Sequence, residues 1–155
     1  MAVQTLTASD QTATPRLVHA GVTAARATYT HGGATSLSAS DIIFMIKIPN
    51  QTWILDGYIK GTCGGSTNSF KVGTVADDDA CGTLLTLSET QQFRRFADSQ
   101  GAGIGTANTM PFKVSLSDSA RPQYTWLQLT FSGVSATATA SIDVVVLYAP
   151  DGAMS

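Results

Sequence analysis

The sequence predicts an all-β fold: an antiparallel β-sandwich, a jelly roll if eight strands fill its two sheets, with at most one or two short helices. Three observations predict it. Phe112, Val114 and Leu116 alternate with Lys113, Ser115 and Ser117, and Leu127, Leu129 and Phe131 alternate with Tyr124, Trp126 and Gln128. A period of two places one set against a core and the other away from it. The apolar runs are short and punctuated by Gly, Pro, Ser and Asn, as in sandwiches. The 155 residues are 43% hydrophobic and only 13% charged, which supports one domain with a core and a surface carrying about half the usual charge.

In chain order, residues 1–15 are polar and small and end in Pro15. They predict an extended arm that has no core of its own and takes order only from what it docks on. Residues 16–150 form the single sandwich domain and 151–155 a C-terminal tail. Arg16 to Thr30, rich in Val, Ala, Thr and Tyr, suits one long strand. His31 to Ser40 is a loop. Ile42 to Ile48 and Thr52 to Lys60 are two strands broken at Pro49-Asn50, because proline donates no ladder hydrogen bond and asparagine suits a turn. In the first of them Ile42, Phe44, Ile46 and Ile48 share one face and Ile43 and Met45 the other, with only Lys47 facing solvent. A strand apolar on both faces is expected between layers or against a partner.

Gly61 to Ser66 is a loop, Thr67 to Val75 a strand, Asp77-Asp78-Asp79 an acidic loop and Thr83 to Leu87 a short strand. Ser88 and Gln91 have the spacing of a capping box, so a short helix carrying Phe93 and Phe96 inward is expected to end near Asp98. Gln100 to Thr106 is a loop. Strands follow at Pro111–Ser117, Tyr124–Phe131 and Thr137–Tyr148, the last apolar on both faces over Val144 to Tyr148. The total is seven or eight strands.

The net charge of −2 and nine scattered basic residues, with only Arg94-Arg95 adjacent, point away from nucleic acid. No apolar run has the length of a membrane span. The opening Met1 to Asp10 lacks the basic start and apolar core of a signal peptide, which predicts folding in a reducing cytoplasm and free thiols at Cys63 and Cys81. His19 and His31 do not complete a zinc set with them. Gly101-Ala-Gly-Ile-Gly105 has glycine spacing, but Met110-Pro111 follows rather than a helix, so it is no phosphate loop. Asp77, Asp78 and Asp79 are consecutive, which opposes convergence on one cation and leaves a solvated loop. No nucleophile elbow, triad or acid pair stands out. Trp53, Tyr58, Tyr124 and Trp126 are the candidate interface residues, since aromatic side chains on a strand face anchor partners or sugars.

One order of features carries a resemblance. A small polar loop ends in Ser40-Asp41, an apolar strand closes in Ile48-Pro49, and an aliphatic strand carries Asp56-Gly57-Tyr58. A Gly/Ser-rich hairpin enters Phe70-Lys71-Val72-Gly73, the acidic Asp77–Asp79 loop follows, and Ile142 to Tyr148 closes the set. In this the sequence resembles the small decoration, or cement, proteins that coat tailed-bacteriophage capsids. The resemblance implies a jelly-roll or related sandwich, assembled as trimers or dimers on the outer capsid surface, with no catalytic residues.

The expected role is therefore a structural virion protein that binds the outer capsid surface and stabilises the shell. The alternative is a carbohydrate- or receptor-binding domain of a phage head or tail fibre. The expected partners are the major capsid protein and further copies of the chain, a trimer above other numbers. No enzyme activity, cofactor, metal, nucleic acid or membrane is expected. The expected location is the virion surface after assembly in the host cytoplasm.

Overall fold

The alternating segments become eleven strands in a computed structural model, which describes residues 5–7, 16–18, 21–31, 37–63, 68–87, 92–96, 112–114, 124–132 and 140–150. The strands are β1 (Thr5–Thr7), β2 (Arg16–Val18), β3 (Val22–Thr30), β4 (Ile42–Pro49), β5 (Thr52–Thr62), β6 (Asn68–Thr74), β7 (Gly82–Leu87), β8 (Gln92–Arg95), β9 (Phe112–Val114), β10 (Tyr124–Phe131) and β11 (Ser141–Pro150). Sheet 1 has the order β1-β4-β10-β6-β7 and sheet 2 the order β2-β3-β11-β5-β8, with β9 beside β8 on β5. Every pairing is antiparallel except β1 on β4.

Without the additions at the edges, the two sheets read β4-β10-β6-β7 and β3-β11-β5-β8. Eight strands interleaved this way across two sheets make a jelly roll. Ile43, Ile46, Ile48, Phe70, Val72, Leu127, Leu129 and Phe131 of sheet 1 meet Ala25, Ala27, Tyr29, Ile54, Ile59, Ile142, Val144 and Val146 of sheet 2 in one buried cluster. The Phe70 and Phe131 rings lie 5.4 Å apart, tilted by 57°, within the range aromatic pairs prefer.

The sequence-based expectations differ from the fold in six places. The long strand from Arg16 is two strands, β2 and β3, folded back at Gly21, whose φ of 80° suits glycine. Thr5–Thr7 of the arm pair with this chain's own β4 in parallel register, Leu6 opposite Ile43, so no neighbour is needed to order them. In β4, Leu127 of β10 lies opposite Ile46 while Gln128 lies opposite Phe44. Met45 is the extra residue of a β-bulge and reverses the side-chain parity. Ile43, Ile46 and Ile48 therefore share the core, and Ile42, Phe44 and Lys47 face outward. β11 is not buried on both faces within one chain: Val144, Val146 and Tyr148 point inward, whereas Leu147 is 38% exposed. The expected helix through Phe93 is strand β8, paired with Tyr58–Gly61 of β5; one helical turn had too few hydrogen bonds to compete with a sheet edge. Its expected cap, Ser88 to Gln91, lies outside the described residues, as do Leu116, His19, the Gly101–Gly105 loop and the 151–155 tail. Among the described residues the strand count is eleven, because short edge strands add to the eight of the roll.

Tight backbone contacts shape the strand ends. Asp41 is fully buried, accepts the Ser38 N–H on Oδ2 at 2.7 Å, and accepts the Phe131 N–H on its carbonyl at 2.9 Å. It thereby fixes the loop before β4 to the end of β10. At the β4–β5 turn, Gln51 has φ 57° and shares its N–H between Asn50 Oδ1 at 2.8 Å and the Val114 carbonyl at 3.1 Å.

Candidate interaction surfaces

The bulge at Met45 builds the first candidate surface. Phe44 and Lys47 are three residues apart and would oppose each other on a regular strand. With one residue bulged out, both reach the outer face of sheet 1, where Trp126 lies opposite Lys47 and Gln128 opposite Phe44. The Phe44 and Trp126 rings stack at 5.4 Å and 18°. Tyr124 stands edge-on to Trp126 at 6.4 Å and 88°. Lys47 Nζ lies 4.6 Å from the Tyr124 ring centre and 5.2 Å from that of Trp126. Half-exposed cation–π contacts of this kind contribute on the order of 0.5–1 kcal/mol each and hold the rings in place. The result is a rigid aromatic face with one positive charge. It continues into Gln128, buried to 4% exposure, whose Nε2 donates to Thr130 Oγ1 at 3.4 Å.

A second bulge builds the opposite surface. On β11, Leu147 lies opposite Asp56 and Tyr148 opposite Ile54, so Leu55 is the extra residue of β5. Trp53 and Tyr58, an odd number of residues apart, consequently share the outer face of sheet 2. The registers set three rows there: Thr28, Asp143, Lys60 and Phe93; Arg26, Val145, Tyr58 and Arg95; Ala24, Leu147 and Asp56. Tyr58 and Phe93 rings lie 4.7 Å apart. Arg26 Nη2 pairs with Asp143 Oδ2 at 2.8 Å, Thr28 donates to Asp143 Oδ1 at 2.6 Å, and Arg95 pairs with Asp56. Lys113 Nζ lies 5.8 Å from the Trp53 ring centre.

The four sequence candidates are thus divided between opposite faces, Tyr124 and Trp126 on sheet 1, Trp53 and Tyr58 on sheet 2. They do not form one platform. Phe44 and Lys47 share the first face and Phe93 and Leu147 the second. Neither bulge carries a glycine signal: Met45 and Leu55 look like ordinary strand residues.

The acidic loop corrects one expectation. The turn after β6 wraps so that carboxylate oxygens of Asp77, Asp78 and Asp79 lie within 4.8 Å of one another, although the residues are consecutive. Lys71 Nζ meets Asp78 Oδ2 at 3.2 Å. Burial, followed by the hydrogen bond and charge of Asp77, holds the Asp79 carboxyl above its ordinary range.

Inside the sandwich, both cysteines are buried and unbonded to each other. Burial pushes the Cys63 thiol up to about 11, against a hydrogen bond to Asn68 that lowers it. Burial, with the Asp77 charge, pushes Cys81 up to about 12. Tyr29, 2.6 Å from His31 Nδ1, is pushed up to about 12 by burial and then by the Asp41 and Cys63 charges. These three groups keep their protons in the folded chain where the unfolded chain releases them, from 9.0 for the thiols and 10.0 for the phenol. Their contribution to stability is complete below about pH 9 and is lost as pH rises towards about 12. Urea midpoints should fall between pH 8 and pH 10.5; a flat or rising midpoint contradicts this burial.

No family model matches the chain, and no curated protein matches its sequence. Its fold matches two solved chains. One belongs to the cyanophage Pam1 capsid asymmetric unit, with a TM-score of 0.62 and 15% identity over 92% of this chain and 98% of that one. The other belongs to the capsid of Ralstonia phage GP4, with a TM-score of 0.63 and 14% identity over 94% of this chain and 97% of that one. At such identity the likeness is one of fold: this jelly roll is one that phage capsids contain.

Proposed function

We propose that this chain is a structural virion protein, a decoration or cement protein that binds the outer capsid surface through the major capsid protein and stabilises the shell. One observation carries the proposal. A bare jelly roll covers both capsid chains almost end to end, 98% and 97% of their lengths, so those chains are also small sandwiches with little else attached. The two outer faces support it. Each presents aromatic and aliphatic side chains organised by a bulge, on a protein whose low charge opposes contact only weakly. The chain acts in this role as a homo-oligomer, a trimer above other numbers, assembled onto the virion in the host cytoplasm and without catalysis.

The aromatic face of sheet 1 is the proposed capsid-docking side, because stacked rings lose little side-chain freedom on binding. The experiment is co-sedimentation of the purified protein with capsids that lack it. Retention is expected for the natural chain. Trp126→Ala should weaken it at least tenfold, since a central aromatic anchor contributes about 2 kcal/mol or more. No retention on capsids, together with binding to host cells or glycans, supports instead the receptor- or carbohydrate-binding role.

A further inference from the structure

The outer face of sheet 2 holds a shallow groove of about 130 Å³, floored by Tyr58, Val145 and Leu147, walled by Phe93, with the Asp56–Arg95 pair at its rim. Phe93 is 48% and Leu147 38% exposed. Around it, strands β3, β5, β8 and β11 carry Arg26, Lys60 and Arg95 against Asp56 and Asp143, so the groove is apolar inside with a net positive charge at its edge.

The β6–β7 turn has the opposite character. Val75 at its tip is 63% exposed, the most exposed large apolar side chain among the described residues. Three carboxylates, Asp77, Asp78 and Asp79, stand immediately behind it, with Lys71 paired to Asp78. The turn is held rigid: the Thr74 N–H donates to the Asp77 carbonyl at 2.7 Å, the Cys81 N–H to the Val72 carbonyl at 2.8 Å and the Gly82 N–H to the Asp79 carbonyl at 3.1 Å. A rigid loop that exposes an apolar tip loses little entropy on docking.

We propose that the β6–β7 turn of one copy docks in the sheet 2 groove of a second copy, with Val75 against Phe93 and Leu147 and the Asp77–Asp79 carboxylates against Lys60 and Arg95. The contact rests on the homo-oligomer part of the proposed function and names the surfaces that make it. It is heterologous: the turn and the groove are different surfaces, and a ring is closed when each copy uses one of each. Apolar contact supplies the attraction, and the charge pattern sets orientation. Raised salt weakens it, because the charged groups at the rim are screened.

The test is sedimentation velocity of the full chain over a range of concentrations, at low and at high salt. The natural chain should self-associate, and less so at high salt. Val75→Asp and Phe93→Thr alter exposed side chains, so both should fold with unchanged circular dichroism yet sediment as monomers. Lys60→Glu and Asp77→Lys should each weaken association at least tenfold, and the two together in one chain should restore it, because the exchanged charges again match. A natural chain that stays monomeric, single variants that still assemble, or a double variant no better than either single one overturns the contact. Capsid retention of the same variants is scored separately. Monomeric variants that still bind capsids leave the capsid role standing, and an assembling chain that binds none removes that role without touching the contact.

Discussion

Phe96→Ala should cost about 3–5 kcal/mol of stability, while Phe93→Ala, three residues earlier, should cost less than about 1. Phe96 is 1% exposed and joins the core cluster from just beyond β8. A Cβ on Gly57 would lie 2.2 Å from Phe96 Cε2, so the ring rests directly on the β5 backbone. Removing it leaves a void in a site whose floor is main chain and cannot collapse. Phe93 is on the outer face, and its removal forfeits mainly the Tyr58 ring contact. On one helix the two residues would share a face and cost alike. Urea midpoints of the two variants decide between the arrangements: similar losses contradict strand β8.

Gly73→Ala should cost about 3 kcal/mol, and Gly82→Ala less than about 1. A Cβ on Gly73 would lie 2.2 Å from the Asp77 carbonyl oxygen and 2.5 Å from the Asp78 carbonyl carbon. Both obstacles are backbone, so relief requires opening the turn and losing the Thr74–Asp77 hydrogen bonds at 2.7 and 3.2 Å. At Gly82 the first obstacle is Leu85 Cδ1 at 3.2 Å, the end of a side chain that can rotate. Equal midpoints for the two alanine variants would show that the turn does not pack on Gly73. Because that turn carries Val75, Gly73→Ala should also weaken self-association.

The legible part of this fold is the part governed by strict alternation. Leu127, Leu129 and Phe131 were placed on the core face from sequence and are buried there. The jelly roll also followed from eight short strands broken by turn residues. What was not legible lies where one residue changes the parity. Met45 and Leu55 each add a residue to a strand, and the consequence is the makeup of both outer faces. A bulge is stabilised by the partner strand's register, a long-range property that a local pattern does not contain. Phe93 was misplaced for a related reason. The Ser88–Gln91 cap spacing is a genuine local signal, but pairing of Gln92–Arg95 with β5 prevails over it. The candidate aromatics were identified from residue type, and residue type says nothing about which sheet receives them. Only the register divides Trp53 and Tyr58 from Tyr124 and Trp126.

If the chain is cement, its effect on the shell follows from linkage. Each copy that binds the assembled capsid and not its dissociated subunits adds free energy to the assembled state. Contacts repeated around an oligomer and a lattice add through high effective concentration, so a modest single-site affinity is enough. The most direct measurement is the temperature at which genome-filled capsids release their DNA, with the protein, without it, and after adding it back. The release temperature should be higher with the protein, fall in its absence and recover on addition of the natural chain but not of Trp126→Ala. Equal release temperatures in all four samples would contradict the cement role.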